Sequence, residues 1–164
     1  LALRFHFHPR NHLRGLLIYA AGDTAAALLL HQFSAGRLAG MALVGGLLYS
    51  LEVPAYFSWI DRRVPPAPGL ARRLVRAALS LLYFNPLWIA RHMLFIQLFS
   101  GHADQISTAL LAVALRSFLL NVPVSFTANY LIQNHVAPRR RFLASALFSG
   151  LMAVYYALSA TWLK

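Results

Sequence analysis

Cysteine is absent from the 164 residues, and acids nearly so: Asp23, Glu52, Asp61 and Asp104 stand against fifteen lysines and arginines. Without thiols there is no disulfide, no thiolate metal site, no iron–sulfur cluster and no attached c-type haem. The sequence also lacks G-x-S-x-G, H-E-x-x-H, a P-loop and any paired-carboxylate constellation, so the common hydrolase, metalloprotease and nucleotide chemistries have no carrier. A b-type haem needs two histidines at similar depth on facing helices; His92 lies deep, whereas His31, His102 and His135 sit near expected helix ends. Repeats with broken helices, the usual mark of a dedicated transporter, are not evident. A non-enzymatic chain with no cofactor is the expectation.

Long apolar runs are what the sequence has in quantity. Hydrophobic residues make up 59% of it and the mean hydropathy is +0.58. One domain is expected over residues 1–164, an all-α integral membrane bundle of four to five hydrophobic helices. Phe142 to Leu163 runs 22 residues without a charge, enough to cross a hydrocarbon core of about 30 Å. Small residues recur at every fourth place in it, Ser145, Ser149, Ala153 and Ala157, a stripe that admits a close helix neighbour. Gly36 and Gly40 form a second such pair and are the first candidate partner for that stripe within the chain.

Taken in order, residues 1–14 mix arginine, histidine and aromatics and read as an interfacial arm, with Pro9 limiting any helix before it. His6 and His8 read as headgroup-level histidines in preference to a metal pair. The expected helices are 15–33, 36–60, 70–100, 104–133 and 142–163, the last preceded by a basic hinge at Arg139, Arg140 and Arg141. The start at Leu1 reads as a removed targeting presequence in preference to a trimmed chain. Two carboxylates fall inside helices, Asp23 and Glu52, each costing about 2.5–3.5 kcal/mol at the centre of a membrane helix. They require basic partners; Arg91 is the natural partner for Asp23 or Glu52, and Arg116 is the second candidate for Asp23. Pro54 should kink the second helix.

The net charge of +11 would point to nucleic acid in a water-soluble chain, but here the arginines gather where helices end. Arg62, Arg63, Arg72, Arg73, Arg76, Arg139, Arg140 and Arg141 are expected to share one membrane surface and hold anionic lipid phosphates, cardiolipin among them. A five-crossing topology puts these arginines together, as the bias of positive charge toward one side requires.

An ordered set of short motifs then stands out: Gly22-Asp23 in the first helix, Ile60-Asp61-Arg62-Arg63-Val64-Pro65 at the end of the second, Pro86 in the third. Val122-Pro123, Asn129-Tyr130, Val136-Ala137-Pro138, Arg141 and Ala157-Leu158-Ser159 follow. In these residues the chain resembles the Mpv-seventeen / peroxisomal membrane protein family over roughly residues 13–163. It departs from the family at Ala26 and Ala27, where a Gln is usual, and at Ser80-Leu81, where Asp-Gln is. Further departures are Ser50-Leu51, Tyr56-Phe57 and Val154-Tyr155. The resemblance implies a mitochondrial inner-membrane or peroxisomal location, and a part in pores or in organellar solute and nucleotide balance. Several polar helix positions of the family are apolar or aromatic here. The expectation is therefore an accessory subunit packed among other membrane proteins, in a respiratory-chain or ATP-synthase assembly, with a free-standing pore as the alternative.

Overall fold

The computed structural model describes the backbone of residues 3–162 and the side chains through Tyr155. The described chain is all-helical, with five long helices. They are α1 (Pro9–Leu29), α2 (Ala35–Arg63), α3 (Leu70–Phe99), α4 (Thr108–His135) and α5 (Pro138–Trp162).

Each boundary has a local cause. Proline fixes φ near −65° and lacks the N–H that a first turn leaves unused, so it opens helices. Pro9 opens α1 and Pro138 opens α5. Residues 9–14 are therefore helical and the N-terminal arm ends at His8. For the same reason Arg139–Arg141 are not a hinge but the first turn of α5, joined to α4 by only Val136 and Ala137. Ser34 caps α2 by accepting the Arg37 N–H at 3.0 Å. Pro65, Pro66 and Pro68 bar any helix between α2 and α3, and a short 3-10 turn at Ala103–Gln105 separates α3 from α4.

The second helix runs through Pro54 without a break. Just before it, Val44–Tyr49 is wound as a π-helix, which places one more residue per turn and changes the direction of the side chains beyond it. Gly45 lies in that segment against Gly15 of α1, and a Cβ on either glycine would collide with the other's carbonyl oxygen. The closest approach of α5 to α1 is also through glycine: a Cβ on Gly22 would stand 2.7 Å from the Gly150 backbone.

The helices close into a ring. α1 packs on α2 and α5, α2 on α3, α3 on α4 and α4 on α5. Because five is odd, one neighbouring pair runs parallel, and that pair is α1 with α5. Aromatic side chains fill the interior. Tyr19 and Tyr49 stand 4.8 Å apart between ring centroids, Tyr56 and Tyr83 are stacked at 4.1 Å, and Phe84 meets Tyr56 edge-on at 4.8 Å. Offset and edge-on contacts of this kind add about 0.5–1.5 kcal/mol each beyond the area they bury.

Among the described residues two helices, α2 and α4, are long and apolar enough to cross a membrane, with mean hydropathies of 1.5 and 1.7 over their most apolar windows. Large apolar side chains also face outward, among them Leu16, Leu17, Leu28 and Leu29 on α1. On α4 they are Leu111, Leu115, Leu119 and Leu120.

Candidate functional site

Three of the four acids in the chain lie in the helix bundle, and each meets arginine from another helix. In the first cluster Asp23 of α1 receives two parallel hydrogen bonds from Arg37 of α2, Nε to Oδ2 at 2.7 Å and Nη2 to Oδ1 at 2.8 Å. Both side chains are 2% exposed or less. This fork-on-carboxylate geometry satisfies both charges at once, which is what burial at that depth demands. His92 of α3 approaches the same carboxylate, its Nε2 3.5 Å from Oδ1, and its ring is stacked on Trp88 at 4.5 Å. Asp23 thus ties three helices.

Sequence reasoning named Arg91 and then Arg116 for Asp23, and the structure corrects both. Asp23 and Arg37 face each other across the α1–α2 hairpin, whose turn occupies only residues 30–34. Arg37 stands near the start of α2, and its long side chain reaches back to the carboxylate. Arg116 lies exposed on α4.

Arg91 belongs to the second cluster. Its Nη2 donates to Glu52 Oε2 at 2.8 Å and its Nη1 to Oε1 at 3.3 Å, where Tyr83 Oη also donates at 3.3 Å. The guanidinium lies 5.5 Å from the centroid of the Tyr49 ring, close enough for a cation–π contact. Glu52 and Arg91 are more open than the first pair, with side chains 11% and 21% exposed.

The third cluster closes the arginine-rich end. Asp61 of α2 accepts from Arg76 of α3, and from Arg141 of α5 at 2.8 and 2.9 Å. The two arginines also cap the loose carbonyls of the neighbouring helix ends: Arg76 donates to Val64 and Gln133, and Arg141 to Val136. Arg76 and Arg141 are buried, at 1% and 5% exposed. They are thus removed from the expected set of lipid-facing arginines, because the half-buried Asp61 carboxylate and orphan carbonyls hold them inside. Arg62, Arg63, Arg72, Arg73, Arg139 and Arg140 are exposed at the same end.

Between the clusters, α3 and α4 are joined by polar side chains. Ser80 donates to Asn129 Oδ1 at 2.7 Å, and Asn129 Nδ2 donates to the Ser125 carbonyl at 2.8 Å. On the ring axis lies a cavity of about 30 Å³, to which every helix contributes: Tyr19, Val53, Asn85, Asn129, Ser145 and Ser149 are among its lining residues. That volume holds about two waters. Among the described residues no group of three or more metal-ligating side chains comes together.

The small-residue pattern is only partly where sequence reasoning put it. Among the described residues Gly36 and Gly40 meet Phe99 of α3, not α5. Ser145 and Ser149 are half-buried around the axial cavity and Ala153 is buried at 1%. The side chain of Ala157 lies outside the described residues. The face of α5 that packs is Phe142, Ala146, Gly150 and Ala153, one residue round from the predicted stripe. Gly150 carried no signal of its own, since the serines beside it were equally small. No family model, curated protein or solved structure matches the chain.

Proposed function

We propose that this protein is a non-enzymatic membrane-embedded packing module, an accessory subunit of a larger assembly in the mitochondrial inner membrane, of the respiratory-chain or ATP-synthase kind. The reading as a divergent member of the Mpv-seventeen family is part of the proposal and rests on the ordered motifs from Gly22-Asp23 onward. A bilayer is the medium that suits outward leucines on α1 and α4 together with a single arginine-rich end. The observation that carries the accessory role is the closure of the interior. Each carboxylate of the bundle is neutralised by arginine from another helix, and the space between is filled by stacked aromatic rings. Such an interior offers little to a substrate, so the outer apolar faces are left as the working surface.

A second reading, a free-standing pore, is favoured by the axial cavity alone, whose polar lining, Asn85, Asn129, Ser145 and Ser149, comes from α3, α4 and α5. Reconstitution separates the two. Liposomes loaded with small anions and nucleotides and carrying the purified protein should leak no faster than protein-free liposomes. Solute release in proportion to the protein inserted would replace the accessory role with the pore.

A further inference from the structure

The outer side of the α4–α5 seam is less closely packed than the α3–α4 seam. It forms an open groove lined by Pro123, Val124, Thr127, Ala128, Leu131 and Phe148. The groove is apolar in effect. Its one hydroxyl, on Thr127, donates to the Pro123 carbonyl of its own helix at 2.9 Å, which leaves the threonine methyl to face outward. Val124 and Leu131 are more than half exposed. The groove runs along α4 toward the arginine-rich end, where α5 begins with Arg139 and Arg140. Phe148 is eight residues beyond Arg140 on α5, about 12 Å along the helix axis at 1.5 Å per residue. That separation matches a phosphate at the helix start with a hydrocarbon chain below it.

The charge at that end selects the occupant. Eight arginines are gathered there with one carboxylate, Asp61, and Asp61 is already taken by Arg76 and Arg141. Among the described residues no carboxylate pairs with Arg139 or Arg140, and both are exposed. We infer that the α4–α5 groove is a binding site for one anionic phospholipid, its acyl chain along Val124, Leu131 and Phe148 and its phosphate on Arg140; Arg139, nine residues before Phe148, lies about half a turn round the helix from it. A neutral phospholipid would fill the groove equally but leave the Arg140 guanidinium without a net anionic partner. A soluble phosphate would meet the arginines but not the groove.

The inference rests on the membrane reading, and the test keeps the two apart. The full chain is reconstituted into vesicles of equimolar phosphatidylglycerol and phosphatidylcholine, re-extracted in mild detergent, and the retained lipid identified by native mass spectrometry. The unmodified protein should retain one phosphatidylglycerol in preference to phosphatidylcholine. At about 1 kcal/mol per arginine near such a surface, Arg140→Gln should lower that preference roughly fivefold. Arg139→Gln, the same charge change in the same turn but on the face of α5 away from Phe148, should lower it much less. Val124→Trp, at the exposed lip of the groove, should reduce retention of both lipids while the protein inserts normally. Equal losses from Arg140→Gln and Arg139→Gln, or no effect of Val124→Trp in a protein that inserts, would overturn the site. Failure of the unmodified chain to enter vesicles would overturn the membrane reading and the lipid site with it.

Discussion

Asp23 and Asp61 solve one problem in opposite ways. Asp23 lies wholly inside and is matched by a single arginine in a two-pronged geometry. Asp61 lies at the arginine-rich end with 30% of its side chain exposed, and is matched by two arginines that also serve helix-end carbonyls. Depth explains the difference. A deep carboxylate cannot be balanced by excess charge, because a second buried arginine would itself need a partner, so geometry must suffice. Near the surface water screens the surplus, and one acid can gather several helix ends. The deep pair therefore fixes the α1–α2 hairpin against α3, while the outer cluster fastens α2, α3 and α5 at their termini.

The largest effect should come from breaking the deep pair on one side. Asp23→Ala leaves Arg37 buried and unpaired and should cost about 3–5 kcal/mol of stability, measured by unfolding in mixed micelles. Joint replacement, Asp23→Leu with Arg37→Met, removes both charges at similar volume and should recover most of that loss. Additive losses in the double variant would show that the two side chains do not act as a pair.

Asp61→Asn should cost less, about 1.5–3 kcal/mol for the charged hydrogen bonds lost. Its cluster should also weaken when salt is raised from low ionic strength to 1 M, where screening shortens to about 3 Å. Unfolding of the unmodified protein at two salt concentrations, beside the Asp61→Asn and Asp23→Ala variants, checks this. The contribution of Asp23 should stay constant while that of Asp61 shrinks.

Much of this comparison was open to sequence reasoning, and some of it was not. The helices could be placed because uncharged runs are punctuated by prolines and arginines, and Asp23 and Glu52 stood out as carboxylates inside such runs. The identity of the partner could not be read for Asp23. Side-chain reach across a hairpin depends on which faces meet, and Arg37 near a helix start has the same local pattern as a surface arginine. Arg76 and Arg141 were misplaced for the converse reason: the eight arginines of that end look alike in sequence, and only the packing of helix ends decides which of them turn inward. The π-wound segment at Val44–Tyr49 left no signal beyond Gly45 and Gly46.

Glycine contacts give a smaller effect at the one parallel seam. Gly22→Ala puts a methyl group against the Gly150 backbone and should cost about 1–3 kcal/mol as overpacking. Gly150→Ala faces the Ile18 side chain at 3.3 Å, which can yield, and should cost under 1 kcal/mol. Thermal unfolding of the two variants tests the order. The smallest effect belongs to the exposed arginines of α3: Arg72→Gln with Arg73→Gln should change stability by no more than about 0.5 kcal/mol per site.

The accessory role is tested most directly by the size of the particle in which the protein leaves its own membrane. After extraction in a mild detergent and native electrophoresis, the chain should migrate with a complex many times its own mass of 18.3 kDa. Asp23→Ala should deplete it from that band. Migration of the unmodified protein as a small particle of its own, with no share in a larger band, would contradict the account.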